Sequence, residues 1–182
     1  MTGDEAVAWL ASLFPGLSLS LIDAIPVASA THDGRPLAAT VGFSAVDSGL
    51  VTEEAPATEV RCELVCTADQ PAFVLGTAVV AAGRELESLG VPAQPGVLLE
   101  GLFDRLDIAG EPTVRHGYLR EPHLFERGTP TYSEPGRVTL LLELVALTDE
   151  EFGIAREQGA FVLERRLRRR GVNVGDWCRE TD

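Results

Sequence analysis

Apolar residues run almost without interruption through 137–147, RVTLLLELVAL, and the pattern then changes abruptly to TDEE. A run of leucine and valine of that length suits a strand covered on both faces, which places it inside a sheet. Thr148 and Glu151 occupy the two positions of a capping box: the threonine hydroxyl accepts from the Glu151 N–H, and the Glu151 carboxylate accepts from the Thr148 N–H. Asp149 and Glu150 add negative charge at the positive end of the helix dipole, worth about 0.3–1 kcal/mol each at an exposed site. The helix so opened is predicted to continue to Arg170, with Phe152, Ala155, Gly159, Val162, Leu163, Arg166 and Leu167 along one side, polar only at the Arg166 end. Gly159, inside it, reads as a point of close approach to the sheet.

The same alternation organises the rest of the chain. A first helix is predicted over 4–14, entered through a capping box of Thr2 and Glu5 and ended by Pro15 and Gly16; Val7, Trp9, Leu10, Leu13 and Phe14 lie on its buried side. Residues 18–25 suggest a strand, 32–36 a turn marked by Gly34 and Pro36, and 37–44 a second strand, which together make an antiparallel hairpin. An exposed loop over 46–58 leads to a strand at 58–67 with Val60, Cys62, Leu64 and Cys66 on one face and a more polar Arg61–Glu63 side. A long helix is predicted over 70–89, with Pro71 in its first turn and Gly90 stopping it. Between 91 and 136 glycine and proline interrupt every element, leaving short strands near 97–99, 113–119 and 131–132, a place for binding loops. Trp177 is expected to dock back onto the body.

At 182 residues with 45% hydrophobic residues, the chain suits one folded domain over 1–182. No apolar stretch is long enough to span a bilayer, and the first residues lack a signal pattern, so a soluble, cytoplasmic protein is expected. The net charge is −13, and all fifteen basic residues are arginine. Residues 161–182 carry +2 and the remainder −15. So acidic a body argues against nucleic-acid binding, which needs a basic surface, and favours a basic partner drawn in by a salt-sensitive attraction. The arginines of 165–170 stand at a helix C-terminus, where the dipole favours them and where they can pair with that acidic body.

Candidate chemistry is sparse. Cys62 and Cys66 point the same way on a strand but lie roughly 13 Å apart, too far for a mutual disulfide. With Cys178 they read as buried, reduced thiols. His116 and His123, with Arg115, Glu121, Asp104 and Asp107, are the best available metal or catalytic set, yet no HExxH, GxSxG, GxGxxG or GxxxxGK[ST] string is present. Lone histidines of this kind read as hydrogen-bonded or surface groups.

Four stretches, in order, resemble the suppressor-of-fused-like domain family. Thr40-Val41-Gly42-Phe43-Ser44 looks like the family's strand with an internal glycine, and Arg61-Cys62-Glu63-Leu64-Val65 like the following "R-x-E-L" strand. The run from Leu144 to Glu151 is similar to the "L-V-P-L-T-x-x-E" junction, with Ala146 where proline is expected, and Arg156-Glu157-Gln158-Gly159-Ala160 to "R-E-x-G-A" in the final helix. They frame about residues 37–170; 91–136 resembles the family only around Pro95-Gly96. The resemblance implies an α/β (α+β) domain of the bacterial single-domain type, a mixed β-sheet flanked by helices, with no cofactor, no metal and no catalytic residues.

It further implies a protein-binding function: an immunity or sequestering protein that neutralises a basic partner such as a toxin, without contact to nucleic acid or membrane. Glu53, Glu54, Glu59, Asp104, Asp107, Glu111, Glu121 and Glu126 are the expected steering groups, chosen for charge and loop position, with a groove or sheet edge to hold a segment of the partner. Alternatives are an adaptor or assembly subunit, and a small metal-dependent or thiol enzyme built on the 91–136 loops.

Overall fold

Helix α1 (Gly3–Leu13) opens through the Thr2/Glu5 capping box and buries Ala6, Trp9 and Leu10. These features come from a computed structural model that describes residues 1–53, 55 and 57–180. Strands β1 (Ser18–Ile22), β2 (Ile25–His32) and β3 (Arg35–Thr40) follow, then a 3-10 turn at Phe43–Ala45 and strand β4 (Glu59–Thr67). Helix α2 (Ala72–Leu89) has Pro71 as N-cap and Gly90, in the left-handed region, as C-cap. Strands β5 (Leu98–Leu99), β6 (Val114–Arg120), β7 (Thr131–Glu134) and β8 (Arg137–Thr148) precede helices α3 (Asp149–Gln158) and α4 (Ala160–Arg170).

The strands form one mixed sheet in the order β1-β2-β3-β4-β8-β6-β5, with β7 beside the first half of β8. Only β4 and β8 run parallel, Glu59 opposite Arg137 through Val65 opposite Glu143. Side chains alternate across each strand. Cys62, Leu64, Cys66, Leu142, Leu144 and Ala146 therefore pack on the α2 side, while Val65 and Leu141 meet α1. Val145, Leu147 and Tyr118 meet Phe152 and Leu163 of α3 and α4. Each leucine fully buried this way contributes about 1.5–3 kcal/mol. Trp177 does dock back: it is buried edge-on against Phe103, ring centroids 4.9 Å apart, and its carbonyl accepts from the Thr113 N–H.

The fold departs from expectation in several places, one being the 37–44 strand, which ends at Thr40 and gives way to the 3-10 turn at Phe43–Ala45. The 18–25 stretch is two strands, because Asp23 (φ 49°) and Ala24 (φ 66°) make a tight two-residue turn without the glycine that usually announces one. The polar Arg61–Glu63 side of β4 is buried, with Arg61 6% and Glu63 0% exposed, because the 42–44 turn closes over Glu63 and residues 46–47 hold Arg61. The final helix breaks at Gly159, whose φ of 89° and ψ of 159° end α3 and start α4. Gly159 is exposed and nothing lies within 4 Å of a Cβ built there, so it is a hinge between helices rather than a close contact with the sheet. Among the described residues no helix is long and apolar enough to cross a membrane.

Candidate functional site

The first two resemblance stretches meet at one buried carboxylate. Glu63 accepts from the Thr40 hydroxyl at 2.5 Å and from the N–H groups of Gly42 (2.9 Å), Phe43 (3.1 Å) and Ser44 (3.1 Å). The chain can present three successive N–H groups to one acceptor because Gly42 adopts φ 101°, a conformation costly for residues with a Cβ. Burial pushes the Glu63 carboxyl above its ordinary value, and the four donors offset that only in part. Arg61, two residues earlier, binds the Val46 carbonyl and the Asp47 carboxylate, each at 2.8 Å, and so ties down the start of the 46–58 loop.

This anchoring fixes Phe43 over α2 at Gly83, where a Cβ would stand 3.2 Å from the Phe43 ring. On either side of Phe43 lies a hollow, one of about 260 Å³ toward Ile25, Val41 and Val79 and one of about 230 Å³ toward Leu86, Val91 and Ala93. Phe43, Val46 and Glu87 border both, so the two hollows adjoin as a trough that Phe43 divides, with largely apolar walls and Arg84, Asp47 and Glu87 as the charged groups at its rim. Glu87 is exposed and has no ion pair among the described residues. Neither Phe43 nor Glu87 was expected as a site residue from sequence; the glycine at 83, closing the apolar first part of the helix, was the available signal.

The expected steering groups do not converge. Glu53 lies exposed in the loop that leaves the trough through Asp47 and Ser48, and Glu54 falls outside the described residues. Glu59 is taken up by Arg61 (2.8 Å) and Arg137 (3.2 Å), which hold its carboxyl below the ordinary range. Asp104 pairs with Arg115 at 3.3 Å. Asp107, Glu111, Glu121 and Glu126 are exposed without ion pairs among the described residues. Glu59, at the start of β4, lies opposite Arg137 at the start of β8, while Glu111 lies near Val114, opposite Thr148 at the end of β8. Those ends are about 35 Å apart at strand rise.

The candidate chemical groups are engaged elsewhere. His116 is stacked on Phe152 at 4.0 Å; its Nδ1 accepts from the Gly101 N–H at 3.0 Å, which leaves Nε2 to donate to Asp149 at 2.9 Å. His123 is exposed beyond β6, and its backbone N–H donates to Glu143. Among the described residues no three His, Cys, Asp or Glu side chains cluster as metal ligands would. Burial raises the pKa of both the Cys62 and Cys66 thiols, against the direction a nucleophile needs.

The other two resemblance stretches also have structural work. The Thr148/Glu151 capping box is present, and Arg179 closes over it, donating to Glu151 at 2.5 Å and to the Ala146 carbonyl at 2.6 Å. The C-terminal segment thus uses the carbonyl of residue 146, which alanine and proline supply alike. The Arg120–Glu143 pair, 2.8 Å apart and buried, ties β6 to β8, with Glu164 of α4 at 3.5 Å. Burial works against charge on Arg120, and the two carboxylates outweigh it.

A mixed sheet of this order, with α2 on one face and α1, α3 and α4 on the other, is an α/β domain with an apolar trough at one end of its helical layer. It has the suppressor-of-fused fold. A suppressor-of-fused homologue from Neisseria gonorrhoeae aligns with a TM-score of 0.71 over 98% of this chain and 95% of its own, at 10% identity. A chain of the Sufu–Fu complex aligns with a TM-score of 0.65 over 96% of this chain and 87% of its own, and Drosophila suppressor of fused with 0.55 over 85% and 40%, each at 13% identity. No family model and no curated protein matches the sequence.

Proposed function

We propose that this chain acts as one non-catalytic protein-binding domain, a sequestering or immunity protein that occludes a basic partner such as a toxin in the cytoplasm. The observation that carries the reading is the trough beside Phe43: apolar walls for a side chain of the partner, the unpaired Glu87 at the rim for a neighbouring cation, and the acidic 46–58 loop leading away. The fold shared with a chain of the Sufu–Fu complex supports it. Acidic groups scattered over the body would steer the approach, while the trough supplies contact. The test is a pull-down with the product of the adjacent reading frame, repeated with Phe43→Ala and Glu87→Arg. A neighbour that is captured by the wild type and released by either variant fits the proposal; one that is captured equally by all three, or not at all, removes it.

One observation favours the assembly reading as well. Strand β1 is an open edge whose pairing with β2 closes in a two-residue turn at Ile22 and Ile25. Alternate pairs exchange hydrogen bonds, so Leu19 and Leu21 turn their N–H and C=O groups outward. Their side chains are 54% and 69% exposed, and no charge or proline blunts the strand. Light scattering at low and high salt tests this: a stable oligomer lost on Leu21→Lys substitution supports assembly through β1, and a monomer throughout excludes it.

A further inference from the structure

The sequence suggests that the arginines of α4 pair with the acidic body, and the structure shows that most do not. Five of the six residues 165–170 are arginine. Leu163 and Leu167 bury the inner side of the helix, so the arginine positions are fixed on a rigid element. Arg170 reaches Glu150 at 3.7 Å and Arg166 reaches Gln158 at 2.9 Å. Arg165, Arg168 and Arg169 are exposed, and their side chains have no hydrogen bond or ion pair among the described residues. Spacings of three and four residues put these like charges beside one another, an arrangement that an anionic neighbour would relieve. Beside them, Arg166, Arg169 and Arg170 are the described residues that line a hollow of about 290 Å³. One turn before Arg165 on the same outward face stands Phe161, 79% exposed.

We infer that the outer face of α4 docks an acidic, amphipathic protein segment, with carboxylates meeting Arg165, Arg168 and Arg169 and an apolar residue meeting Phe161. The charge complementarity is local: 161–182 carries +2 against −15 for the rest of the chain, and screening over about 8 Å at physiological salt confines attraction to the helix itself. A nucleic-acid duplex or an anionic bilayer extends well beyond one short helix and would lay its charge over the acidic body. A single acidic helix does not, and its carboxylates at three- and four-residue spacing match the arginine spacing. This surface is separate from the trough and takes a partner of opposite charge.

The probe is a fluorescein-labelled helical peptide with glutamates at four-residue spacing and leucines between, read by fluorescence anisotropy beside its Glu→Gln twin, a short DNA duplex and phosphatidylserine vesicles. The acidic peptide is expected to bind saturably and to weaken with salt. Affinity should fall roughly tenfold or more in an R165E/R168E/R169E variant, as for loss of an electrostatically matched interface. The R165Q/R168Q/R169Q variant, less disturbing to the fold, should lose affinity in the same direction, and Phe161→Ala should weaken peptide binding while leaving its salt dependence unchanged. Absence of binding, equal binding of the Gln twin, unaltered affinity in both arginine variants, or tighter binding of duplex or vesicles each overturns the proposal.

Discussion

The Thr40 hydroxyl donates to Glu63 at 2.5 Å and at the same time accepts from the Leu64 N–H at 2.9 Å. The β3–β4 ladder has ended one step earlier, at Ala39 opposite Val65, and the threonine side chain supplies the acceptor that the departing backbone no longer provides. This releases 41–45 to wrap around the Glu63 carboxylate and set Phe43 against α2.

The Glu63 carboxyl titrates with a sign that follows from its burial. Its folded-state pKa is raised, so over the interval above the ordinary carboxylate value, about 4.3, the native protein binds a proton that the unfolded chain has released. The stabilisation is fully present below that value and is lost as pH rises through the folded-state pKa. Urea unfolding at stepped pH should show this decline, and Glu63→Gln should flatten it. The same substitution turns an amide donor toward at least one of the surrounding donors, at a cost of about 1–3 kcal/mol.

Gly159→Ala should destabilise by about 1–3 kcal/mol, although the side chain would meet open space, because φ 89° with ψ 159° suits glycine alone. Gly117→Ala should cost a similar amount, about 1–3 kcal/mol, for the opposite reason: its Cβ would stand 2.8 Å from Leu102 and 3.2 Å from Leu144. Calorimetric melting of both variants checks the pair. Crystal structures should show an unmoved core for the first and displaced leucines for the second.

Thiol titration of the native protein with an aromatic disulfide reagent should modify Cys178 promptly and leave Cys62 and Cys66 untouched, since both are buried with raised pKa. All three should react in denaturant. Rapid modification of two or more in the native state would contradict the packing of β4 against α2.

Removing Arg179 should loosen the C-terminal segment. Its guanidinium bridges Glu151, the Ala146 carbonyl and the Asp176 carbonyl, the last at 2.9 Å. Arg179→Ala leaves the Glu151 carboxylate partly buried with a lost partner, and about 2–3 kcal/mol of stability should go with it. Hydrogen exchange should localise the added opening to 171–180 and the first turn of α3.

Much of the fold was legible along the chain because its signals are short-range. The two capping boxes act between residues three apart, the stop of α2 lies in a single glycine, and the leucine-rich run of β8 declares its own burial. The turn at Asp23 and Ala24 was not legible, for although aspartate tolerates positive φ, the alanine after it stands where glycine is usual. Nor was the break at Gly159, where the apolar spacing continues across the hinge and only the backbone angle reveals it. The acidic residues expected to steer a partner were chosen for charge and loop position; Glu59 and Asp104 proved to be committed to arginines that the sequence could not pair with them.

What the amino-acid order fixed by itself was the set of elements, the acidic balance and the four stretches resembling a known fold, all of which depend on neighbours within a few positions. Tertiary structure alone decided that β4 lies beside β8, bringing Glu59 to Arg137 across 78 residues of chain, and that Glu63 is buried beneath the turn holding Phe43. Such pairings are set by which apolar faces cover one another and which buried polar groups find partners. That is a condition on the whole packed sheet, with no counterpart in any single stretch of the chain.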